Sequence, residues 1–282
     1  MSAAVTVEGL RKAYDSVDAV RGIDFEIRTG EVFGLLGPNG AGKTTTVEIL
    51  EGYRDRDAGS VSVLGADPAG AGRDWRQRIG VVLQSGSLYG PLTVTEILAL
   101  FAGYYDAPRD VGEVIELMGL EEKRGAKVRT LSGGQKRRLD FALALVGDPE
   151  LVFLDEPTTG FDPEARRRAW DTIRSLRDLG KTVLLTTHYL DEAERLCDRV
   201  AVLREGEIAA MGRPNELTGA LPPTEIRFRR DGREVVIRTE EPTRRLHELT
   251  AEAVREGREL EALEVRRPSL EEVYLSLTGN GQ

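Results

Sequence analysis

The chain has 282 residues, of which 40% are hydrophobic, so it can bury the core of one large domain and of a smaller one. Its formal net charge of −9 argues against nucleic acid or an anionic membrane surface as the main partner, because both favour a basic face. The single cysteine, Cys197, excludes an internal disulfide and fits a reducing compartment; we expect a small, partly buried side chain there.

Strand patterns dominate the first part of the chain. Alternating apolar residues predict half-exposed strands at Val5–Val7 and Ile23–Ile27. Continuous apolar runs predict strands that are buried on both faces, at Val32–Leu36, Ile79–Leu83, Leu151–Leu154 and Val183–Leu185. Helical patterns and glycine-rich turns between them indicate an α/β fold with a mostly parallel core sheet, in which ligands bind at the carboxyl ends of the strands.

A glycine-rich loop, GPNGAGKT, directly follows the Val32–Leu36 run and precedes a helical pattern, which is the context of a phosphate-binding loop. A chance glycine-rich turn is the alternative, and this context disfavours it. Backbone N–H groups can surround phosphates, Lys43 can reach the β- and γ-phosphates, and the Thr44 hydroxyl can ligate Mg²⁺. We expect the nucleotide to contact Gly37, Pro38, Asn39, Gly40, Ala41, Gly42, Lys43, Thr44 and Thr45.

Helical patterns replace strand patterns between about residues 85 and 148, which predicts a helical insertion. Within it, LSGGQ at Leu131–Gln135 opens a helical pattern. Ser132 supplies a hydroxyl there, and Gly133 and Gly134 leave the helix start open to an anion. The pentapeptide therefore predicts a second phosphate site, and the residues alone allow both sites to converge within one chain.

Two carboxylates, Asp155 and Glu156, follow the Leu151–Leu154 run. Asp155 is placed to hold Mg²⁺ through its water shell, and Glu156 is a candidate general base for an attacking water. Adjacent side chains of a strand point to opposite sides, so the strand end must bend for both to serve one site. A pair of solvated acids at a strand end is the alternative.

Three further residues have weaker signals and plain alternatives. His188 follows a strand predicted at Lys181–Thr187 and could contact the γ-phosphate or the attacking water, although a structural histidine is the alternative. Gln84 ends another strand and could reach the metal or the water, or be an ordinary polar loop residue. Tyr14, expected in a loop, could stack on a base or be an unremarkable surface tyrosine.

The last part of the chain predicts a closing hairpin at Arg199–Gly212 and a break at Leu221-Pro222-Pro223. We therefore predict a nucleotide-binding domain over residues 1–221 and a small α+β domain over residues 222–282. The elements expected in the smaller domain are a hairpin of Glu225–Arg229 and Glu234–Arg238, a helix at Arg244–Glu256, a strand at Leu260–Val265 and a capped helix at Ser269–Leu277.

These motifs in this order resemble the ATP-binding cassette (ABC) family over roughly Val5 to Leu217. In that comparison, residues 37–44 are similar to Walker A and LSGGQ to the signature. The other likenesses are Gln84 to the Q-loop, Asp155 and Glu156 to the end of Walker B, Asp162 to the D-loop, His188 to the switch histidine and Tyr14 to the adenine-stacking aromatic. Phe161 stands where leucine is more usual, which should alter packing rather than chemistry.

The resemblance implies a P-loop NTPase fold with an added antiparallel β subdomain, and an ATPase that uses ATP and Mg²⁺. It implies catalytic roles for Lys43, Gln84, Glu156 and His188, and metal contacts for Thr44, Gln84 and Asp155. It also implies that Ser132, Gly133, Gly134, Gln135 and Asp162 contact nucleotide across a head-to-tail pair of cassettes.

Partners and location follow from the same resemblance. The tail at residues 268–278 and the segment TGFDP at Thr159–Pro163 are similar to bacterial drug-resistance ATPases of the ABC-2 exporter type. We therefore expect a second cassette of identical sequence, integral-membrane permease subunits, and a place at the cytoplasmic face of the membrane. No secretory signal follows Met1, and no apolar run reaches the roughly 20 residues of a membrane helix.

Two other classes of function remain as alternatives. A soluble ABC ATPase acting on ribosomes or DNA is disfavoured by the acidity, by the absence of a long coiled-coil insertion and by the single cassette. A regulatory module that holds ATP without turnover is disfavoured by the presence of Glu156 and His188.

Overall fold

The structure is a computed structural model that describes residues 2–82, 90–219, 224–230 and 232–266, together with Leu270 and Tyr274. It divides into two compact units, Met1–Met211 and Gly212–Gln282, which we call the cassette unit and the C-terminal unit. The domain boundary placed at residue 221 falls outside the described residues and stays a prediction.

The strands of the cassette unit are β1 (Ala3–Tyr14), β2 (Val17–Arg28), β3 (Val32–Leu36), β4 (Ala58–Val63), β5 (Ile79–Val82), β6 (Leu151–Asp155), β7 (Thr182–Thr187), β8 (Arg199–Arg204) and β9 (Glu207–Gly212). Its α-helices are α1 (Lys43–Leu50), α2 (Arg73–Arg76), α3 (Val94–Ala102), α4 (Val111–Leu117), α5 (Gly133–Leu145), α6 (Pro163–Asp178) and α7 (Leu190–Leu196). Short 3₁₀ turns lie at Pro68–Gly70, Glu121–Lys123 and Val128–Thr130.

A six-stranded sheet in the order β5-β6-β7-β3-β8-β9 forms the centre of the cassette unit. The pairs β5–β6, β6–β7, β7–β3 and β3–β8 are parallel. Every residue of β3 and β7 is buried, because helices cover both faces of a parallel sheet. The predicted α/β fold with a mostly parallel core sheet is therefore confirmed.

A separate antiparallel sheet in the order β2-β1-β4 packs against this core, as the family resemblance implied. The rings of Phe25 on β2 and Phe33 on β3 stack with centroids 5.6 Å apart. The expectation that Tyr14 lies in a loop is wrong: Tyr14 ends β1 and pairs with Val17 of β2. Strand β1 is longer than its apolar pattern indicated because backbone pairing to two neighbours extends it through polar positions.

Helices account for most of the described chain between residues 90 and 148, which confirms the helical insertion there. Thr93 caps α3 in a capping box with Glu96, and Ser132 caps α5 in the same way with Gln135. Within the described parts of the chain, no helix combines the length and apolar character needed to cross a membrane.

The C-terminal unit contains α8 (Pro214–Gly219), β10 (Thr224–Arg230), β11 (Arg233–Thr239), α9 (Pro242–Arg255) and β12 (Glu261–Arg266). Its strands form an antiparallel sheet in the order β11-β10-β12, and the β10–β11 hairpin pairs as predicted. Ile226, Phe228 and Leu249 form its small buried core. Of the helix predicted at Ser269–Leu277, only Leu270 and Tyr274 are described; both are helical, and Leu270 is buried.

Candidate functional site

The loop between β3 and α1 needs glycine at two of its positions. A Cβ atom on Gly37 would lie 2.6 Å from the carbonyl oxygen of Leu203, and one on Gly42 would lie 2.4 Å from that of Ala19. Gly42 also has a φ of +104° where it caps α1. The loop therefore keeps its backbone close to neighbouring strands while the N-terminus of α1 favours an anion.

Lys43 places a cation inside this loop. The side chain is 5% exposed, and its Nζ donates hydrogen bonds to the carbonyl oxygens of Gly37 at 2.8 Å and Pro38 at 3.1 Å. Burial lowers the pKa of Lys43, and the nearby Glu156 and Asp155 carboxylates oppose this shift. The ammonium is thus held by the loop and faces the two acids that end β6.

The end of β6 bends so that two adjacent carboxylates can serve one site. Glu156 has a φ of +42°, a left-handed conformation that is uncommon for a residue with a side chain. Its N–H donates to the carbonyl oxygen of Thr186 at 3.2 Å and to the Thr186 hydroxyl at 2.9 Å. That hydroxyl donates to Asp155 Oδ1 at 2.5 Å. The bend expected from the sequence is present, and Thr186 of β7 supports it.

Two of the predicted residues, Lys43 and His188, converge on the carboxylate of a third, Glu156. Glu156 Oε1 lies 4.0 Å from Lys43 Nζ and 3.3 Å from His188 Nδ1. The Thr159 hydroxyl donates to the other oxygen, Oε2, at 3.1 Å. The His188 side chain is 36% exposed, so this face of the cluster is open to water. A carboxylate with a cation on one side and an accessible imidazole on the other is suited to take a proton from a bound water.

The residues that would hold Mg²⁺ fit that ion. Thr44 is exposed at the start of α1, and Asp155 is half-buried at the end of β6. A hydroxyl and a carboxylate are the hard oxygen donors that Mg²⁺ takes from proteins, with phosphates and water completing its shell. The described residues contain no group of three or more acidic, histidine or cysteine side chains that could hold a metal without such help.

The signature segment has a different geometry. The Ser132 hydroxyl accepts from the N–H of Gln135 at 3.3 Å, and Gln135 Oε1 accepts from the N–H of Ser132 at 2.9 Å. A Cβ atom on Gly133 or Gly134 would meet nothing within 4 Å. Among the described residues, no hydrogen bond or ion pair joins this segment to the loop at residues 37–45. The start of α5 is therefore open to a ligand.

The remaining predicted residues have mixed outcomes. Gln84 lies outside the described residues. Tyr14 has the guanidinium of Arg54 at 5.1 Å and the Lys12 ammonium at 5.6 Å from its ring centroid, and its buried hydroxyl has no hydrogen-bond partner among the described residues. Asp162 caps α6, since its Oδ1 accepts from the N–H groups of Glu164 and Ala165. These two hydrogen bonds give Asp162 a structural role as the cap of α6.

The sequence reasoning did not single out Thr186, Thr158 or Glu192, and all three lie beside the site. For Thr186 the available signal was a hydroxyl side chain directly after the apolar run Val183–Leu185. Buried hydroxyls need partners, so such residues are candidates for polar contacts.

Together, the sheet order, the glycine-dependent loop and the Lys43–Glu156–His188 cluster define a P-loop ATPase of the ATP-binding cassette type. The family model described as ABC transporter matches residues 20–159. A second model, an ABC transporter domain-containing protein-like C-terminal domain, matches residues 213–269.

Individual proteins agree with the family models. The chain is 41% identical over 302 residues to the Nod factor export ATP-binding protein I of Rhizobium sp. (strain N33), covering 98% of this chain and 97% of that protein. A solved ATP-binding subunit of an ABC transporter superposes with a TM-score of 0.73 at 25% identity, over 98% of this chain and all (100%) of the other. A cassette solved as a dimer in a post-hydrolysis state with ADP and phosphate superposes with a TM-score of 0.66 at 25% identity. The match covers 74% of this chain and 98% of the other.

The chain belongs to the ABC transporter family, and it is an ATP-binding, ATP-hydrolysing subunit. The resemblance drawn from the sequence motifs is confirmed at this level.

Proposed function

We propose that this ATPase powers a bacterial-type exporter through separate integral-membrane permease subunits, at the cytoplasmic face of the membrane. The main support for the proposal is that Lys43 and His188 both lie close to Glu156 Oε1, because this arrangement suits hydrolysis of ATP and not only its binding. The name of the Rhizobium relative, a Nod factor export protein, supports export as the direction. The likeness of the tail at residues 268–278 to drug-resistance ATPases favours drugs as the cargo.

In this proposal the loop at residues 37–45 binds the phosphates of ATP, and Lys43 neutralises charge on the β- and γ-phosphates. Thr44 and Asp155 would hold Mg²⁺, with Gln84 as a further ligand, and the bound ion would neutralise negative charge on the phosphates. Glu156 accepts a proton from the water whose oxygen attacks the γ-phosphorus while the bond to ADP breaks. His188 orients that water and the γ-phosphate, and Tyr14 stacks on adenine.

The second phosphate site acts across two chains. Because the helix start at Ser132 is open, it is available to a γ-phosphate held by another cassette. The related cassette solved as a dimer supports a pair of this kind. Ser132, Gly133, Gly134 and Gln135 of each chain then close on the partner's ATP, with Asp162 near the same contact. Hydrolysis removes the shared phosphate and opens the pair.

The variant Glu156→Gln tests the catalytic part. We expect ATP binding to remain, turnover to fall by about a hundredfold or more, and an ATP-dependent dimer to accumulate in size-exclusion chromatography. Glu207→Gln, a change at an exposed glutamate of β9, is the control and should behave as the unmodified protein. An ATPase rate near that of the control would remove Glu156 from the role of base.

The dimer and exporter parts need their own tests. Ser132→Arg should leave ATP binding to the monomer intact and block both the dimer and hydrolysis. Purification from native membranes should recover a polytopic membrane protein, and cells that express both should export drugs faster. Recovery of ribosomes or DNA alone would favour the soluble, non-transport class of ABC ATPase instead.

A further inference from the structure

One carboxyl group, that of Glu192, is buried beside the site without taking part in it. Glu192 lies on α7 and is 0% exposed. Its Oε1 accepts hydrogen bonds from the Thr158 hydroxyl at 2.9 Å and from Trp170 Nε1 at 3.0 Å. Burial raises the pKa of Glu192, and the hydrogen bonds from the Thr158 and Trp170 side chains oppose that shift. A buried carboxyl is costly, so its partners determine whether it stabilises or weakens the protein.

Glu192 and its two hydrogen-bond partners lie on three segments that lead to the site. Thr158 follows Glu156 by two residues, on the segment that leaves β6. Glu192 itself lies on α7, which begins two residues after His188. Trp170 lies on α6, the helix that Asp162 caps. One side chain therefore connects the segment of the proposed base, the segment of the proposed switch histidine and the helix after the D-loop.

A second buried side chain also holds this segment. Arg137 of α5, the helix that begins at the signature, is 7% exposed, and its Nε donates to the carbonyl oxygen of Pro157 at 3.0 Å. The residues after Glu156 are thus fixed through a backbone oxygen by α5 and through a hydroxyl by α7. A left-handed residue such as Glu156 keeps its conformation only when its surroundings determine it.

We propose that Glu192 is a positioning residue for ATP hydrolysis, which holds the segment after Glu156 against α6 and α7 through its hydrogen bonds to Thr158 and Trp170 and so keeps Glu156 in contact with His188. It does not touch the nucleotide. The proposal rests on the roles given above to Glu156 and His188. It predicts that loss of the Glu192 acceptor lowers kcat while the KM for ATP stays, because the phosphate-binding loop is held by other contacts.

The test compares Glu192→Gln and Glu192→Leu. The glutamine Oε1 can accept the bonds from both Thr158 and Trp170, so kcat should stay within about threefold of the unmodified protein. Leucine fills the space but leaves the Thr158 hydroxyl and the Trp170 N–H unpaired, and kcat should fall by about ten- to a hundredfold with KM within about twofold. Both are measured well below the melting temperature of each variant.

The two tryptophans supply a matched pair of controls. Trp170→Phe removes the bond to Glu192, whereas Trp75→Phe removes an equally buried bond from Nε1 to the carbonyl oxygen of Val63 at 2.8 Å, in the antiparallel part of the cassette unit. We expect a lower kcat only from Trp170→Phe. This comparison also replaces Glu192→Leu if that variant does not fold.

Three results would overturn the proposal. The first is a loss of stability in Glu192→Leu or Trp170→Phe with kcat per folded molecule unchanged. The second is a rise in KM without a fall in kcat, and the third is a Glu192→Gln variant as inactive as Glu192→Leu. If Glu156→Gln abolishes turnover and Glu192→Leu does not, this inference alone fails. If Glu156→Gln itself stays active, the proposed function fails first.

Discussion

The hydroxyl of Thr186 is a single group on which both acids of the site depend. It donates to Asp155 Oδ1 at 2.5 Å and accepts from the N–H of Glu156 at 2.9 Å. The change Thr186→Val removes this hydroxyl and keeps the size of the side chain, so no cavity forms in the fully buried strand β7. We expect a lower stability and a lower kcat from this change.

The magnitude follows from the two bonds that are lost. A bond to an ionised group contributes about 1.5–3 kcal/mol, whereas the N–H of Glu156 still has the carbonyl oxygen of Thr186 at 3.2 Å. The unfolding free energy should therefore fall by about 2–3 kcal/mol. Because the left-handed turn at Glu156 loses one of its supports, kcat should also fall about tenfold.

Urea unfolding followed by tryptophan fluorescence measures the stability change, since both tryptophans, Trp75 and Trp170, lie in the cassette unit. Thr182→Val is the control: this buried threonine begins β7, and its hydroxyl accepts from the N–H of Gly30 at 3.0 Å, away from the site. It should cost about 1 kcal/mol and leave kcat unchanged. Equal effects of both variants on kcat would refute the reasoning.

Three further predictions concern pH, a thiol and the glycine-rich loop. Burial, with Asp155 and Glu48 nearby, raises the pKa of Glu51 from 4.5 to about 8. Below pH 4.5 Glu51 is protonated in both the folded and the unfolded chain. Between pH 4.5 and about 8 only the unfolded chain releases this proton, so the free energy of unfolding falls as the pH rises. Glu51→Gln should make the free energy of unfolding, measured by urea titration, depend less on pH in this range. Burial also raises the pKa of the Cys197 thiol, so a thiol reagent should label it only in urea, and rapid labelling of the folded protein would contradict this. Gly37→Ala should weaken binding of a fluorescent ATP analogue about tenfold or more, because its Cβ would lie 2.6 Å from a backbone oxygen, whereas Gly133→Ala should leave monomer binding unchanged.

The core of the fold was predictable because its signals are local. Strand β3 was predicted at its observed bounds, since a short apolar run beside a glycine-rich loop has few other uses. The capped helix at Ser132 and the hairpin β8–β9 were likewise marked by their own residues. Within the site, Lys43, Asp155 and Glu156 could be identified from their residue types and positions, because ligands of such sheets bind at the carboxyl ends of the strands.

Other features depend on partners that are distant in the sequence. Strand β4 carries Gly59 and two serines and has no clear pattern; it forms because its backbone pairs with β1, where Gly59 lies against Gly9. Glu192 is one of several acids in the α7 region, and its burial and its contacts with Thr158 and Trp170 set it apart. The sequence predicted that the chain must bend at Glu156, but it did not show that the hydroxyl of Thr186 supports this bend.

The order of the central sheet has a consequence for synthesis of the chain. Strand β3, which carries the phosphate-binding loop, lies between β7 and β8 in the central sheet and pairs with both. The N–H of Gly30 finds its partner, Thr182, 152 residues later. During translation the loop therefore emerges early but has no neighbouring strand until β7 and β8 have left the ribosome. Such long-range closure slows folding and leaves an apolar strand exposed meanwhile. Nascent chains that end before β7 should thus neither bind nucleotide nor resist proteases, and chaperones should hold them the longest.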